Sequence, residues 1–165
     1  MKPQRRFWDD SDPAFELDLI MTLKEGRCPF NRAVAAYAMQ MLKTRRTIRA
    51  LEETAMNKSE HSRVSGEAAE ALARGHRRKS HEILLKGLKD PSKDVRFWCA
   101  IALGEMTEKR AIPTLEHLLA TDGRIVTGFH SVAREAEDAT QKHSEQESFS
   151  QKKVGLRVLH SRLVE

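Results

Sequence analysis

The sequence has little from which a covalent framework, a metal centre or a membrane anchor could be built. Its two cysteines, Cys28 and Cys99, lie far apart and belong to no spacing typical of zinc ligands or of a disulfide scaffold. No apolar run approaches the roughly 20 residues that span a bilayer. The N-terminal stretch turns acidic where a secretory signal would be apolar. We therefore expect a soluble protein of the reducing cytoplasm, without contact to a membrane.

Aromatic residues are also scarce, at 5% of the chain, whereas the hydrophobic residues together make up 39%. The apolar residues are mainly alanine, leucine, methionine and isoleucine, which favour helices over the core of a β-sandwich. A chain of 165 residues is long enough to bury a core as one domain. The composition therefore predicts an all-α fold.

The chain resembles itself at intervals of about 30 residues. Residues 64–72 align with residues 95–103, with valine, alanine and leucine at matching places. An earlier copy covers residues 34–42, and a later copy contains Ala133 and Ala136. Such a period is typical of a solenoid, in which each unit buries its apolar face against the next one.

Each alanine-rich segment is followed by a polar turn and a second amphipathic segment. These second segments are residues 48–55, 83–88 and 112–119, and they predict the other helix of each hairpin. The later part of the chain is less regular. We predict a repeat solenoid over residues 1–140, a polar linker over 141–151 and a C-terminal capping helix over 152–165.

The third copy carries the most specific motif. Asp90-Pro91 is followed by Val95-Arg96, then by Ala102-Leu103-Gly104 and Ala111-Ile112-Pro113. This pattern resembles the bacterial HEAT-like repeats first named from phycobilisome lyases, over about residues 14–140. The resemblance implies a right-handed α-α superhelix of about four hairpins, in which the Asp and the Arg tie neighbouring repeats together.

The resemblance leaves the function open, because similar repeats serve as adaptors and also as enzymes. Iron-dependent relatives use His-Glu pairs at the starts of repeat helices, and the equivalent positions here are Gly66-Glu67 and Phe97-Trp98. One pair, His81-Glu82, lies on the other helix, without a second pair in register. No phosphate-binding loop or nucleophile motif is present. We predict a non-enzymatic protein with no catalytic residue, cofactor or metal; a lyase or hydroxylase is the third alternative.

In HEAT repeats the inner helices line the concave face, where partners bind. The alignment places Tyr37, Glu67 and Trp98 in one column of this face, and an adjacent column follows one turn later. Trp98 is interpreted either as an anchor for a partner or as a core residue. The predicted partner-binding residues, for a protein of unknown identity, are Tyr37, Glu67, Glu70, Trp98, Ile101 and Arg134. The insertion at residues 123–130 is the next candidate.

A second candidate surface is a basic edge, formed by the turns that follow the alanine-rich helices. The chain has a formal net charge of +5 and a pI near 9.4. Cations at the C-terminal ends of helices also complement the helix dipole, so this edge has an ordinary structural explanation. The alternative function is nucleic-acid binding through its residues, which are Arg45, Arg46, Arg77, Arg78 and Lys79.

Overall fold

Eight α-helices and one 3₁₀ turn, Lys109–Ala111, make up most of the described chain. The computed structural model describes the backbone of residues 13–163, and the side chains of that range except those of residues 77, 78 and 152–163. The helices are α1 (Pro13–Glu25), α2 (Pro29–Met39), α3 (Arg45–Ala55), α4 (Ser62–Gly75), α5 (Arg77–Gly87), α6 (Lys93–Met106), α7 (Ile112–Thr121) and α8 (Val132–Leu163).

The helices form four successive hairpins in two layers. The even-numbered helices pack against one another in the order α2, α4, α6, α8, and each contacts the odd-numbered helix that precedes it. The first odd-numbered helices also contact their neighbours, α1 with α3 and α3 with α5. This arrangement confirms the predicted α-helical solenoid.

Small residues on the even-numbered helices let the layers approach closely. Ala69 and Ala100 are completely buried, whereas the odd-numbered helices contribute larger side chains, such as Leu51, Leu84 and Leu115, that are also completely buried. Small side chains permit close helix contact and the leucines fill the remaining space. The alanine pattern that revealed the repeat is therefore the pattern of the core.

The burial pattern shifts the first copy by about one helical turn relative to the sequence alignment. The small residues Ala35 and Ala36 of α2 are buried like Ala68 and Ala69 of α4, so these pairs occupy equivalent positions. Tyr37 then aligns with Glu70 and Ile101. The predicted column of Tyr37, Glu67 and Trp98 is therefore wrong by one turn, because several registers of an alanine-rich segment match almost equally well.

The structure also differs from the sequence prediction at residues 141–151, which are helical and belong to α8. The side chains here bond within the helix, with Gln141 Nε2 donating to Glu145 Oε1 at 2.9 Å and Ser144 Oγ donating to the Gln141 carbonyl at 2.8 Å. A helix exposed on all sides has no apolar stripe and resembles a linker in sequence. The backbone of the predicted capping segment continues α8 as far as Leu163; its side chains and the last two residues lie outside the described part.

A buried arginine joins the third and fourth hairpins. Arg96 Nε donates to Asp122 Oδ2 at 2.7 Å, and Arg96 Nη1 donates to the main-chain carbonyl of Asp90. The two charged side chains are only 5% and 2% exposed. Burial raises the pKa of Asp122, but hydrogen bonds from Arg124 and Arg96 outweigh it and hold this pKa below its ordinary value. The contact between repeats that the motif implies for its arginine is thus an ion pair with Asp122, and we call this pair the arginine tie.

Candidate protein-interaction face

Helices α2, α4 and α6 each have one row of side chains on the side away from the odd-numbered layer. We call these rows together the helix face. They fall at the same helical spacing, positions 30, 34, 37 and 41 in α2 and its following turn, 63, 67, 70 and 74 in α4, and 94, 98, 101 and 105 in α6. The rows of neighbouring helices lie side by side because the helices pack in this order. The chemistry of the face changes from one helix to the next.

The row on α2 is apolar and exposed. Phe30 is 61%, Val34 50%, Tyr37 54% and Met41 62% accessible. They follow one another at i, i+4, i+7 and i+11, which places all four on one side of the helix. Monomeric proteins rarely leave large apolar side chains clustered on their surface without an interaction that uses them. We call this row the α2 stripe.

The row on α4 is charged instead. Arg63 and Arg74 are exposed, and Glu67 and Glu70 between them are half-buried. Arg74 Nη2 lies 2.5 Å from Glu70 Oε2. Burial and the neighbouring Glu70 raise the pKa of Glu67 above its ordinary value. Both predicted acidic residues therefore lie on the helix face, next to the α2 stripe.

Trp98 lies on the same face but is buried, with 5% of its surface exposed. Its indole Nε1 donates to Ser62 Oγ at 3.1 Å, and its ring lies over Gly66 of α4. Phe97 and Phe129 contact it edge-on, at centroid distances of 5.0 and 4.9 Å. The interpretation of Trp98 as an exposed anchor therefore needs correction, because the side chain packs between repeats.

The insertion at residues 123–130 is what covers Trp98. It forms a small hairpin in which the amide of Val126 donates to the carbonyl of His130 at 3.2 Å and the amide of Phe129 donates to that of Val126 at 2.9 Å. Gly128 has a φ of +82°, which a glycine adopts without strain. Lys93 Nζ holds the hairpin to α6 through the Ile125 carbonyl at 2.5 Å. Val126 of the insertion is completely buried, whereas Ile125 and Phe129 are 66% and 44% exposed. The insertion therefore packs on the core and stays a candidate binding segment.

The contact between Gly66 and Trp98 gives a direct test of this packing. A Cβ at position 66 would lie 2.7–2.8 Å from three ring atoms of Trp98, so we expect Gly66→Ala to destabilise the protein by about 1–3 kcal/mol through overpacking. Gly123→Ala is the matched control, because nothing lies within 4 Å of its added Cβ. Urea denaturation measures both variants. Equal stability of the two variants would contradict the close packing of Trp98 on α4.

The remaining predicted contacts lie on α6 and α8. Ile101 is half-buried, and Arg134 is exposed and pairs with Asp138 at 3.4 Å. Near them, His130 Nε2 and Glu135 Oε2 are 2.9 Å apart. The possible ligand atoms of His130, Glu135 and Asp138 all lie within 4.8 Å of one another, a juxtaposition that no sequence spacing suggested. Since Arg134 already supplies a positive charge to Asp138, this group gives no ground for assigning a metal.

The basic edge is divided between free and paired cations. Arg45, Arg46 and Lys79 are exposed, while the side chains of Arg77 and Arg78 lie outside the described part. Further along this edge, Arg110 pairs with Glu82 at 2.7 Å and Lys109 with Glu147 at 2.8 Å. These two basic residues are thus neutralised, so the described part of the edge is cationic mainly at its α2–α3 end.

Comparison with known protein families agrees with this architecture, whereas no significant match was found among curated proteins. None of the helices in residues 13–163 is both long enough and apolar enough to cross a bilayer. Residues 54–128, from the end of α3 to the insertion, match the family model described as HEAT repeats. The matched residues and the stacked helical hairpins together support a HEAT-like repeat protein.

Proposed function

We propose that this protein is a non-enzymatic scaffold that binds another protein through the helix face. HEAT repeats commonly act as protein-interaction scaffolds. The observation that carries the proposal is the α2 stripe, where four large apolar side chains are each at least half exposed. Burying one such side chain in an interface stabilises a complex by about 1.5–3 kcal/mol at most. The stripe is therefore suited to provide most of the binding energy.

The composition of the stripe also favours a protein over a nucleic acid. Apolar and tyrosine side chains are typical of protein interfaces, whereas nucleic-acid binding depends on clustered cations that neutralise phosphates. On α4, next to the stripe, Arg74 is paired and Glu67 and Glu70 are acidic. A phosphate backbone placed along α2 and α4 would meet these carboxylates. Nucleic-acid binding at the basic edge therefore remains the less supported alternative.

Site-specific photo-crosslinking in the native host tests this proposal. A photoreactive amino acid at Val34 or Tyr37 is expected to give the same discrete crosslinked protein, because both side chains lie on the stripe. The double variant Val34→Ser with Tyr37→Ser is expected to weaken binding of that protein by roughly 100-fold, or about 3 kcal/mol. Its stability should change by no more than about 0.5 kcal/mol, since both positions are exposed.

The matched control is Leu119, which is 40% exposed on α7 in the opposite layer. A crosslinker there should not capture the same protein, and Leu119→Ser should leave the affinity unchanged. Identical products from α7 and α2, or no discrete product from α2, would contradict binding through the helix face.

A further inference from the structure

The ends of the α2 stripe are positively charged. Arg27 lies in the turn before α2, close in sequence to Phe30, and Lys43 and Arg45 lie in the turn after α2 and at the start of α3, close in sequence to Met41. All three cations are exposed. Within the described residues no carboxylate forms an ion pair with them, unlike Lys24, which pairs with Glu53 at 2.8 Å. The stripe is therefore an apolar surface with an unpaired cation at each end.

The adjacent row on α4 also has an arginine at each end, one of them paired. Arg63 aligns with Phe30 and Arg74 aligns with Met41, so an arginine lies beside each end of the stripe. Glu67 and Glu70 lie beside its middle. Arg74 is paired with Glu70 at 2.5 Å, so among the described residues the unpaired cation of the α4 row is Arg63. The two ends of the surface lie about 16 Å apart along the axis, for 11 residues at 1.5 Å each.

From this juxtaposition we infer that the partner segment is an amphipathic helix with acidic residues at both ends. The inference rests on the proposed function of the helix face and specifies its ligand. A helix of about three to four turns presents apolar side chains at i, i+4, i+7 and i+11, which matches the length and spacing of the α2 stripe. Aspartate or glutamate at its ends would meet Arg27 on one side and Lys43 and Arg45 on the other.

The same charges disfavour a second copy of this chain as the occupant. If two α2 helices paired in an antiparallel manner, Arg27 of one copy would approach Lys43 of the other. If they paired in a parallel manner, Lys43 would approach Lys43. Like charges that face each other oppose association, and the net charge of +5 adds to this repulsion. An acidic partner removes the repulsion in either orientation.

Three fluorescent synthetic peptides of about 15 residues test the inference by anisotropy on the full chain. All three contain the same number of leucines, and two of them have leucine at positions i, i+4, i+7 and i+11. The first has glutamates at both ends and the second has lysines there; the third has glutamate ends and a scrambled leucine order. We expect the first to bind at least about 10-fold more tightly than either other peptide. Its advantage over the lysine peptide should shrink between roughly 50 and 200 mM salt.

Charge reversal on the protein gives the complementary result. Lys43→Glu with Arg45→Glu should reduce the preference for the glutamate peptide at least about 10-fold. Lys86→Glu with Lys89→Glu, two exposed positions on and after α5, changes the net charge equally and should leave the preference unchanged. If the control pair has the same effect, only the overall charge matters and the inference fails.

Other outcomes identify other occupants. Equal binding of glutamate and lysine peptides would overturn the acidic partner and leave the proposed helix face intact, because the crosslinks from Val34 and Tyr37 do not depend on the flanking charges. Tight binding of the scrambled peptide would overturn the helical match. Failure of all three peptides to bind would also overturn it. If sedimentation then shows a dimer that Tyr37→Glu abolishes, the occupant is a second copy. If a variant that lacks residues 1–12 binds both ordered peptides equally well, the occupant of the stripe in the full chain is its own N-terminal segment.

Discussion

Trp98→Ala is expected to destabilise the protein by about 3–5 kcal/mol, the usual cost of removing a buried aromatic side chain. The indole fills the space between Gly66 and Phe129 and donates to Ser62 Oγ, so its loss leaves a cavity between three structural elements. For a chain of this size the melting temperature should fall by roughly 10 °C. Thermal denaturation followed by far-UV circular dichroism measures the effect.

Tyr37→Ala is the matched control for this substitution. Tyr37 is an aromatic residue on the same helix face but is 54% exposed, so its removal should change the stability by no more than about 0.5 kcal/mol. If instead Trp98→Ala leaves the melting temperature unchanged and selectively weakens partner binding, Trp98 belongs to the interface and the observed packing does not determine its role.

Arg96→Met is expected to destabilise the fold by about 3 kcal/mol, because it leaves the buried carboxylate of Asp122 without its buried partner. This value lies at the lower end of the range for a broken buried pair, since Arg124 Nε also donates to Asp122 at 2.7 Å. Methionine keeps much of the side-chain volume, so the loss of stability measures the contribution of the charge and its hydrogen bonds. Denaturation in urea at neutral pH gives the free energy of unfolding.

Arg124→Met provides the control at the same carboxylate. The Arg124 side chain is 61% exposed although Asp122 is not, so water can replace its hydrogen bond and we expect the smaller loss, about 1 kcal/mol. The dependence on pH follows from the lowered pKa of Asp122. Its stabilising contribution is complete above the ordinary aspartate pKa and is lost as the pH falls through the lowered value. Arg96→Met should therefore show a weaker loss of stability on acidification than the unmodified chain. Equal destabilisation by both variants would contradict a special role for the buried arginine.

The repeat, its helices and the arginine tie could be predicted from the sequence because they depend on local patterns. The alanine spacing indicates which helix of each hairpin packs closely against its neighbours. The turn motif before Val95 and Arg96 indicates where two repeats contact each other. The fold class follows from these features. The register of the first copy does not, since Val34 and Tyr37 are flanked by alanines that match their neighbours in more than one alignment.

The environment of Trp98 could not be predicted, because it depends on a contact distant in sequence. Residues 123–130 pass over α6 only when the third and fourth hairpins are stacked, and Phe129 then lies 4.9 Å from the indole. Of the α2 stripe, only Tyr37 was predicted from the sequence, because the local pattern of the other three residues is misleading. Phe30, Val34 and Met41 have the spacing of a core face, and only the positions of the neighbouring helices show that no other described residue covers this side of α2.

The length of α8 gives a single helix two different local stabilities. Its first part is held by the stack through Val132, Ala136, Ala139 and His143, all buried, whereas residues 144–151 are exposed. Beyond His143 the described helix therefore relies on its own backbone hydrogen bonds and on pairs such as Lys109 with Glu147. Isolated helical segments of this length are marginal in water. Amide hydrogens should accordingly exchange slowly over the first three turns and quickly over residues 144–151, so that this part of α8 unfolds without loss of the stack.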